Sequence, residues 1–163
     1  DEHVSKLGQA ITYDYAGSDL LVIGVLRGGC IFMSDLVRQI DLPLELDFMM
    51  VSSYGNSSTS SGKLNIKKDL SASVEGRDVV IAEDILDTGL TLSILKELLM
   101  ERGAKSVEIA CCFIKDGAQK VPIDLKYQAL HVPDEFVVVY GLDYAEKYRN
   151  LPYLAILSPR VYS

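Results

Sequence analysis

The sequence has 163 residues, 48 % of them apolar, and its 16 basic against 23 acidic side chains leave a formal net charge of −7. That length and apolar content suit one domain, residues 1–163, with a core that needs no disulfide or metal staple, and they exclude a disordered chain. The acidic balance argues against a nucleic-acid backbone as partner. No apolar run approaches the roughly 18 residues of a membrane span, and the opening DEHVSKLGQA lacks the basic-then-apolar order of a signal peptide, so a cytoplasmic protein without membrane attachment is expected.

The chain opens abruptly in a helix-like stretch, as if a few residues preceded it. Residues 19–26, DLLVIGVL, are continuously apolar and β-branched, the pattern of a strand buried on both faces of a parallel sheet, and they end at Arg27-Gly28-Gly29. From 30 to 40, Ile31, Leu36, Val37 and Ile40 recur at helical spacing until Pro43 stops the helix. A second strand is expected over 44–51, followed by a Ser/Thr/Gly-rich mobile loop over 52–62. A third buried strand, 78–82, runs into acidic residues and then a helix marked by Leu90, Ile94, Leu95, Leu98 and Leu99 and ended by Gly103. Strands over 106–114 and 135–140 complete the reading, while the stretch 116–130 carries no clear motif. Strands alternating with helices define an α/β fold with a mostly parallel sheet, whose ligands gather beyond the carboxyl ends of the strands. Cys30, Cys111 and Cys112 lie in apolar segments without zinc-ligand spacing and read as reduced core thiols.

The segment Glu83-Asp84-Ile85-Leu86-Asp87-Thr88-Gly89-Leu90-Thr91 places three carboxylates, a glycine and two hydroxyls between a buried strand and a helix. Amides at the helix start, with the dipole behind them and the Thr88 and Thr91 hydroxyls beside them, form an anion site that suits a phosphate. Glu83 and Asp84, just ahead of it, suit sugar hydroxyls or a divalent cation. A phosphorylated ribose meets both demands. A simple helix cap by Asp87 or Thr88 would explain one carboxylate but not three.

The string VVIAEDILDTGLTL resembles the binding motif for phosphoribosyl pyrophosphate (PRPP) of type I phosphoribosyltransferases, in the form used by purine salvage enzymes. The resemblance covers nearly the whole chain, through LRGG at 26–29, SSYGN at 52–56, KKDL at 67–70 and PDEFVVVYGLDYAEKYRNLPY at 133–153, and is to the hypoxanthine–guanine phosphoribosyltransferases. It implies the type I fold with a small hood of terminal segments, magnesium as cofactor, PRPP and a 6-oxopurine as substrates, and a homodimer or homotetramer.

By resemblance, Asp87 is the proton acceptor near purine N7. Glu83 and Asp84 hold the ribose hydroxyls and magnesium, and Asp87, Thr88, Gly89, Leu90 and Thr91 form the 5′-phosphate loop. Lys115 matches a lysine on the 6-oxygen of the base; an ammonium only donates, so a 6-amino purine is disfavoured there. Phe136 matches an aromatic that stacks on the purine, Val137 a residue whose backbone reads the base edge, and Asp143 a magnesium ligand on the purine side. Arg149 and the Arg27-Gly28 turn match the grip on pyrophosphate, with a non-proline cis peptide at Leu26–Arg27; most relatives have lysine at the position of Arg27. Outside this context Lys115, Asp143 and Arg149 would each read as ordinary surface charges, and Phe136 as a core residue. Ser53 and Tyr54 match the start of a loop that closes over the reacting centre and excludes water.

Val139 departs from the pattern by putting a side chain before Tyr140 where relatives mostly have glycine, which bears on base specificity. Two other readings stay open: a transferase preferring xanthine, and a PRPP-sensing regulator on the same fold. The second predicts a basic surface and loss of Asp87, and this chain has neither. An unrelated dinucleotide-binding enzyme would want G-x-G-x-x-G at the first strand, which LRGGC does not supply.

Overall fold

The computed structural model describes residues 2–53, 64–133, 137–138, 140–152 and 155–156; Tyr54, residues 57–61, Phe136 and Val139 lie outside them, and of Ser53 and Val137 only the backbone is described. In chain order the elements are α1 (Glu2–Asp14), β1 (Leu20–Val25), α2 (Gly29–Val37), β2 (Leu44–Ser53), β3 (Leu64–Lys68), β4 (Asp78–Leu86), α3 (Leu90–Glu101), β5 (Ser106–Lys115), β6 (Tyr127–Val132), β7 (Val137–Val138) and β8 (Ala155–Ile156). Six strands form one sheet in the order β3-β2-β1-β4-β5-β6, while β7 and β8 form a separate antiparallel ribbon. Every pairing in the large sheet is parallel except β2 with β3. The expected α/β architecture is therefore present.

All six residues of β1 are buried because both faces of the sheet are covered, which is why this segment lacks the polar alternation of a one-sided strand. Val22 and Val80 belong to the core on the α1/α2 side with Ile11, Phe32 and Leu36. Ile23, Ile81 and Ile109 belong to the opposite core, with Leu92, Leu95 and Leu99 at helical spacing on α3. Cys111 and Cys112 are free thiols buried in the core as expected, with burial pushing the Cys112 thiol up to about 12 and the Cys111 thiol well above the usual range. Cys30 departs from that expectation: it is free but only partly buried, near the start of α2. Among the described residues no helix is long and apolar enough to cross a membrane.

Two expectations need correction. The third buried strand does not end at Ala82: pairing with β5 continues through Glu83↔Cys111, Ile85↔Phe113 and Leu86↔Ile114, so both acids belong to the strand rather than to the turn after it. The fifth strand of the large set is not 135–140 either. The sheet edge is β6, from the stretch that carried no motif, and Val137 and Val138 pair with Ile156 and Ala155 outside that sheet.

Asp47 secures β2 to the segment after β3. Its carboxylate, 8 % exposed, accepts hydrogen bonds from the Ser71 and Phe48 amides at 2.6 and 2.7 Å and from the Lys68 ammonium at 3.4 Å. Burial works to raise its pKa, but these donors outweigh burial and hold the carboxyl below the usual range. Asp47→Asn turns an NH₂ toward some of these donors and is expected to lower the unfolding free energy by about 1–3 kcal/mol in urea titration at neutral pH. The contribution is complete above the unfolded pKa of about 4 and is lost as pH falls through the lower folded value. The gap between the two proteins should therefore narrow in acid; a gap that widened would exclude this role.

Candidate active site

The site assembles where parallel strands end. At the carboxyl end of β1 the peptide between Leu26 and Arg27 is cis, and the Leu26 amide donates to the Met49 carbonyl at 2.8 Å. At the end of β4 come Glu83, Asp84 and the turn into α3; at the end of β5 stands Lys115, half-buried. A cleft of about 290 Å³ lies between the β1 and β4 ends and is lined by Leu26, Glu83, Asp84, Asp87, Thr88 and Thr91 among others. A larger cavity of about 590 Å³ opens elsewhere, lined by α1 and α2 residues, Gln39 and Tyr140. Volume alone would favour it, but it takes in none of the strand-end acids, so chemistry favours the smaller cleft.

The turn after β4 is built to present amides. Gly89 has φ +82°, the left-handed region, and a Cβ there would lie 2.9 Å from the Val121 carbonyl oxygen, so only glycine fits. The Thr88 carbonyl accepts from the Lys120 and Val121 amides at 2.9 and 3.2 Å, which ties the turn to the 120–123 segment. The N-cap residue of α3 is Gly89, which has no side chain, and the neighbouring Thr88 hydroxyl accepts from the Leu90 amide at 3.5 Å. Thr88 thus reaches one amide of the helix start by a long contact, as the capping alternative expects, and the amides at this positive end of the helix dipole also suit an anion. Asp87 is exposed and has no side-chain partner among the described residues.

Glu83 and Asp84 form a tightly coupled acidic pair. Burial pushes both carboxyls up; the Asp84 charge adds to the shift of Glu83, whereas hydrogen bonding with Glu83 and the Ile85 amide, and the charge of Arg149, pull Asp84 partly back. Glu83 keeps some solvent contact although protein atoms crowd it, and Asp84 is 7 % exposed. Such a pair is stable as two carboxylates only with a cation or donors close by.

A third loop, residues 140–151, meets the other two. A Cβ on Gly28 would fall 1.6 Å from Asp84 Oδ2, and one on Gly141 would fall 2.0 Å from the Gly28 carbonyl oxygen. Gly28 is thus sandwiched between the acidic strand end and the third loop. The Arg149 guanidinium donates to the Gly141 carbonyl at 2.7 Å and pairs with Asp143 at 2.8 Å, so two residues six apart in sequence meet. Arg27 reaches Glu146 at 2.6 Å, and Arg149 reaches the same oxygen at 3.3 Å. The hydrogen bonds from Arg149 and Arg27 hold the Glu146 carboxyl below its ordinary range. Tyr140 anchors the loop to α2 through a hydrogen bond from its hydroxyl to Asp35.

The structure brings together Arg27, Gly28, Glu83, Asp84 and the 87–91 turn with Asp143 and Arg149. Lys115 stands at the end of the strand next to β4. Phe136 and Tyr54 lie outside the described residues. Sequence reading missed Gly141, Glu146 and the Asp35–Tyr140 anchor. A glycine and an acid inside the quoted GLDYAEKYR segment were the available signal, but their importance depends on a contact with Gly28 and Arg27 more than a hundred residues away.

The chain belongs to the phosphoribosyl transferase domain family, which it matches over residues 2–145. Within that family its similarity is to hypoxanthine–guanine enzymes. It is 54 % identical to the hypoxanthine-guanine phosphoribosyltransferase of Bacillus subtilis over 98 % of this chain and 88 % of that protein. It is also 54 % identical to the bifunctional protein TilS/HprT of Listeria innocua over 99 % of this chain, which spans only about a quarter (25 %) of that longer relative. The structure of a hypoxanthine phosphoribosyltransferase from Staphylococcus aureus superposes with a TM-score of 0.93 at 48 % identity, covering 99 % of this chain and 90 % of the other. The expected type I fold and family resemblance both hold.

Proposed function

We propose that this chain, acting as a single domain, transfers the 5-phosphoribosyl group of PRPP to N9 of hypoxanthine or guanine, giving IMP or GMP and pyrophosphate. The observation that carries the reading is the acid pair of β4 followed by the glycine turn into α3, beside the Arg27-Gly28 turn. Amides of 88–91 and the Thr88 and Thr91 hydroxyls hold the 5′-phosphate, while Glu83 and Asp84 accept from the ribose diol. Asp87 takes the proton at purine N7 and opposes positive charge as the bond to C1 forms and the bond to pyrophosphate breaks. Lys115 donates to the 6-oxygen, Phe136 stacks on the ring, and the Val137 backbone reads the base edge. Arg27, Gly28 and Arg149 receive the pyrophosphate, and Ser53 and Tyr54 begin the segment that shields the centre from water.

The donor chemistry of the acid pair fits magnesium: two carboxyls that burial discourages from ionising gain from a hard cation, and Asp143 offers a third oxygen donor on the next loop. No cluster of three or more such ligands forms among the described residues, so water and substrate oxygens would complete the shell, as magnesium prefers. When bound, magnesium would neutralise the charge gathering on the leaving pyrophosphate. A cytoplasmic homodimer or homotetramer belongs to the same reading.

A panel assay tests it: PRPP and magnesium with hypoxanthine, guanine, xanthine or adenine, following nucleotide formation. Turnover with the first two bases, weak turnover with adenine and loss of activity in EDTA are expected. Xanthine as the fastest base would reassign the specificity, strong use of adenine would overturn the role of Lys115, and silence with every base would favour the PRPP-sensing alternative.

A further inference from the structure

Glu146 holds a position that the proposed transfer chemistry leaves unexplained. One carboxylate oxygen, Oε2, lies 2.6 Å from Arg27 and 3.3 Å from Arg149, so a single anion bridges two guanidiniums that come from loops at opposite ends of the chain. The bridge sits on a built turn. The Glu146 amide donates to Asp143 Oδ2 at 2.8 Å, Tyr144 and Lys147 exchange backbone hydrogen bonds at 3.1 and 3.0 Å, and Glu146 itself adopts φ +64°, rare for a residue with a side chain. Its side chain is 63 % exposed and that of Arg27 60 %, so the carboxylate can leave for water without opening the core.

We infer that Glu146 is an internal stand-in for pyrophosphate: its carboxylate occupies the seat between Arg27 and Arg149, yields it to PRPP, and competes with the product for it. The inference rests on the proposed roles of the two arginines. A diphosphate offers the same guanidiniums more oxygens and more charge than one carboxylate, so it wins the seat, but against a competitor tethered three residues from Arg149. Glu146 thereby holds two like charges close together and weakens the hold on product. It is a positioning residue, since it acts through the arginines rather than on the reacting atoms.

The test is direct binding of inorganic pyrophosphate with magnesium, by titration calorimetry, to the unaltered chain, Glu146→Gln and Glu146→Ala. Both variants are expected to bind pyrophosphate roughly fivefold more tightly, a modest gain because the displaced ion pairs are exposed. The KM for PRPP should fall in parallel, and the KM for the base should stay unchanged. A merely structural role for the turn predicts the opposite sign, because a loosened Arg149 would bind pyrophosphate more weakly. Unchanged or weaker binding in both variants overturns the inference. If the unaltered chain makes nucleotide yet the variants gain nothing, this inference fails alone. If it makes no nucleotide with any base but the variants still gain affinity, the transfer reading fails and the competition stands.

Discussion

Asp87→Asn is expected to lower kcat for nucleotide formation by about 10²–10⁴-fold, the usual worth of a positioned proton acceptor. Thermal stability and the KM for PRPP should stay nearly unchanged. The argument starts from where the side chain lies. Asp87 is exposed at the junction of β4 and α3 and supports no other side chain among the described residues, so its loss removes no packing and no hydrogen bond of the fold. The amide is nearly the same shape but can neither accept a proton nor carry the charge that opposes a positive purine ring. A fall in kcat with intact binding isolates that chemistry from the phosphate seat made by the neighbouring amides. Steady-state assays with hypoxanthine and PRPP, with melting curves alongside, measure it. Retention of more than about a tenth of the turnover would remove Asp87 from the proton's path.

What the sequence disclosed, it disclosed where local pattern and burial agree. The apolar runs of β1 and of residues 109–114 in β5 fit strands covered on both sides, and the leucine spacing of α3 fits a helix on a core. The acidic junction at 83–91 was legible because three acids beside a buried strand have no bland explanation. Its limits were less so: charge at Glu83 and Asp84 looked like the end of a strand, whereas pairing with β5 carries the strand past them. β6 escaped because YQALHV shows neither an apolar run nor clean alternation; four of its six residues keep solvent contact at the sheet edge. β3 escaped likewise, as a short edge strand holding two lysines. The arginines were visible by resemblance, but the carboxylate between them was not, since that geometry comes from a turn with four non-glycine residues at positive φ between 140 and 148.

The same long-range dependence makes Gly141→Ala the other severe substitution. Gly141 has φ +104°, where an alanine is strained in any surroundings, and the added Cβ would meet the Gly28 carbonyl oxygen at 2.0 Å. Both partners are backbone, so no side-chain rotation relieves the contact; either the 26–29 turn or the 140–151 loop must move. Moving the first shifts Gly28 against the Asp84 carboxylate that rests on it, and moving the second carries away Asp143 and Arg149, whose guanidinium is fastened to the Gly141 carbonyl. A displacement of about 1 Å in such groups is enough for a 10²-fold loss, so kcat/KM for PRPP is expected to fall by at least that factor. Stability should fall by only about 1–2 kcal/mol, the cost of one residue in the left-handed region, since the core residues of β1 and β4 are not involved. Gly17→Ala supplies the control: it has φ +77° but nothing within 4 Å of an added Cβ. It should show the same kind of stability loss with full activity. Equal activity losses in the two variants would mean that backbone strain, rather than the seat between Gly28 and Gly141, governs the site.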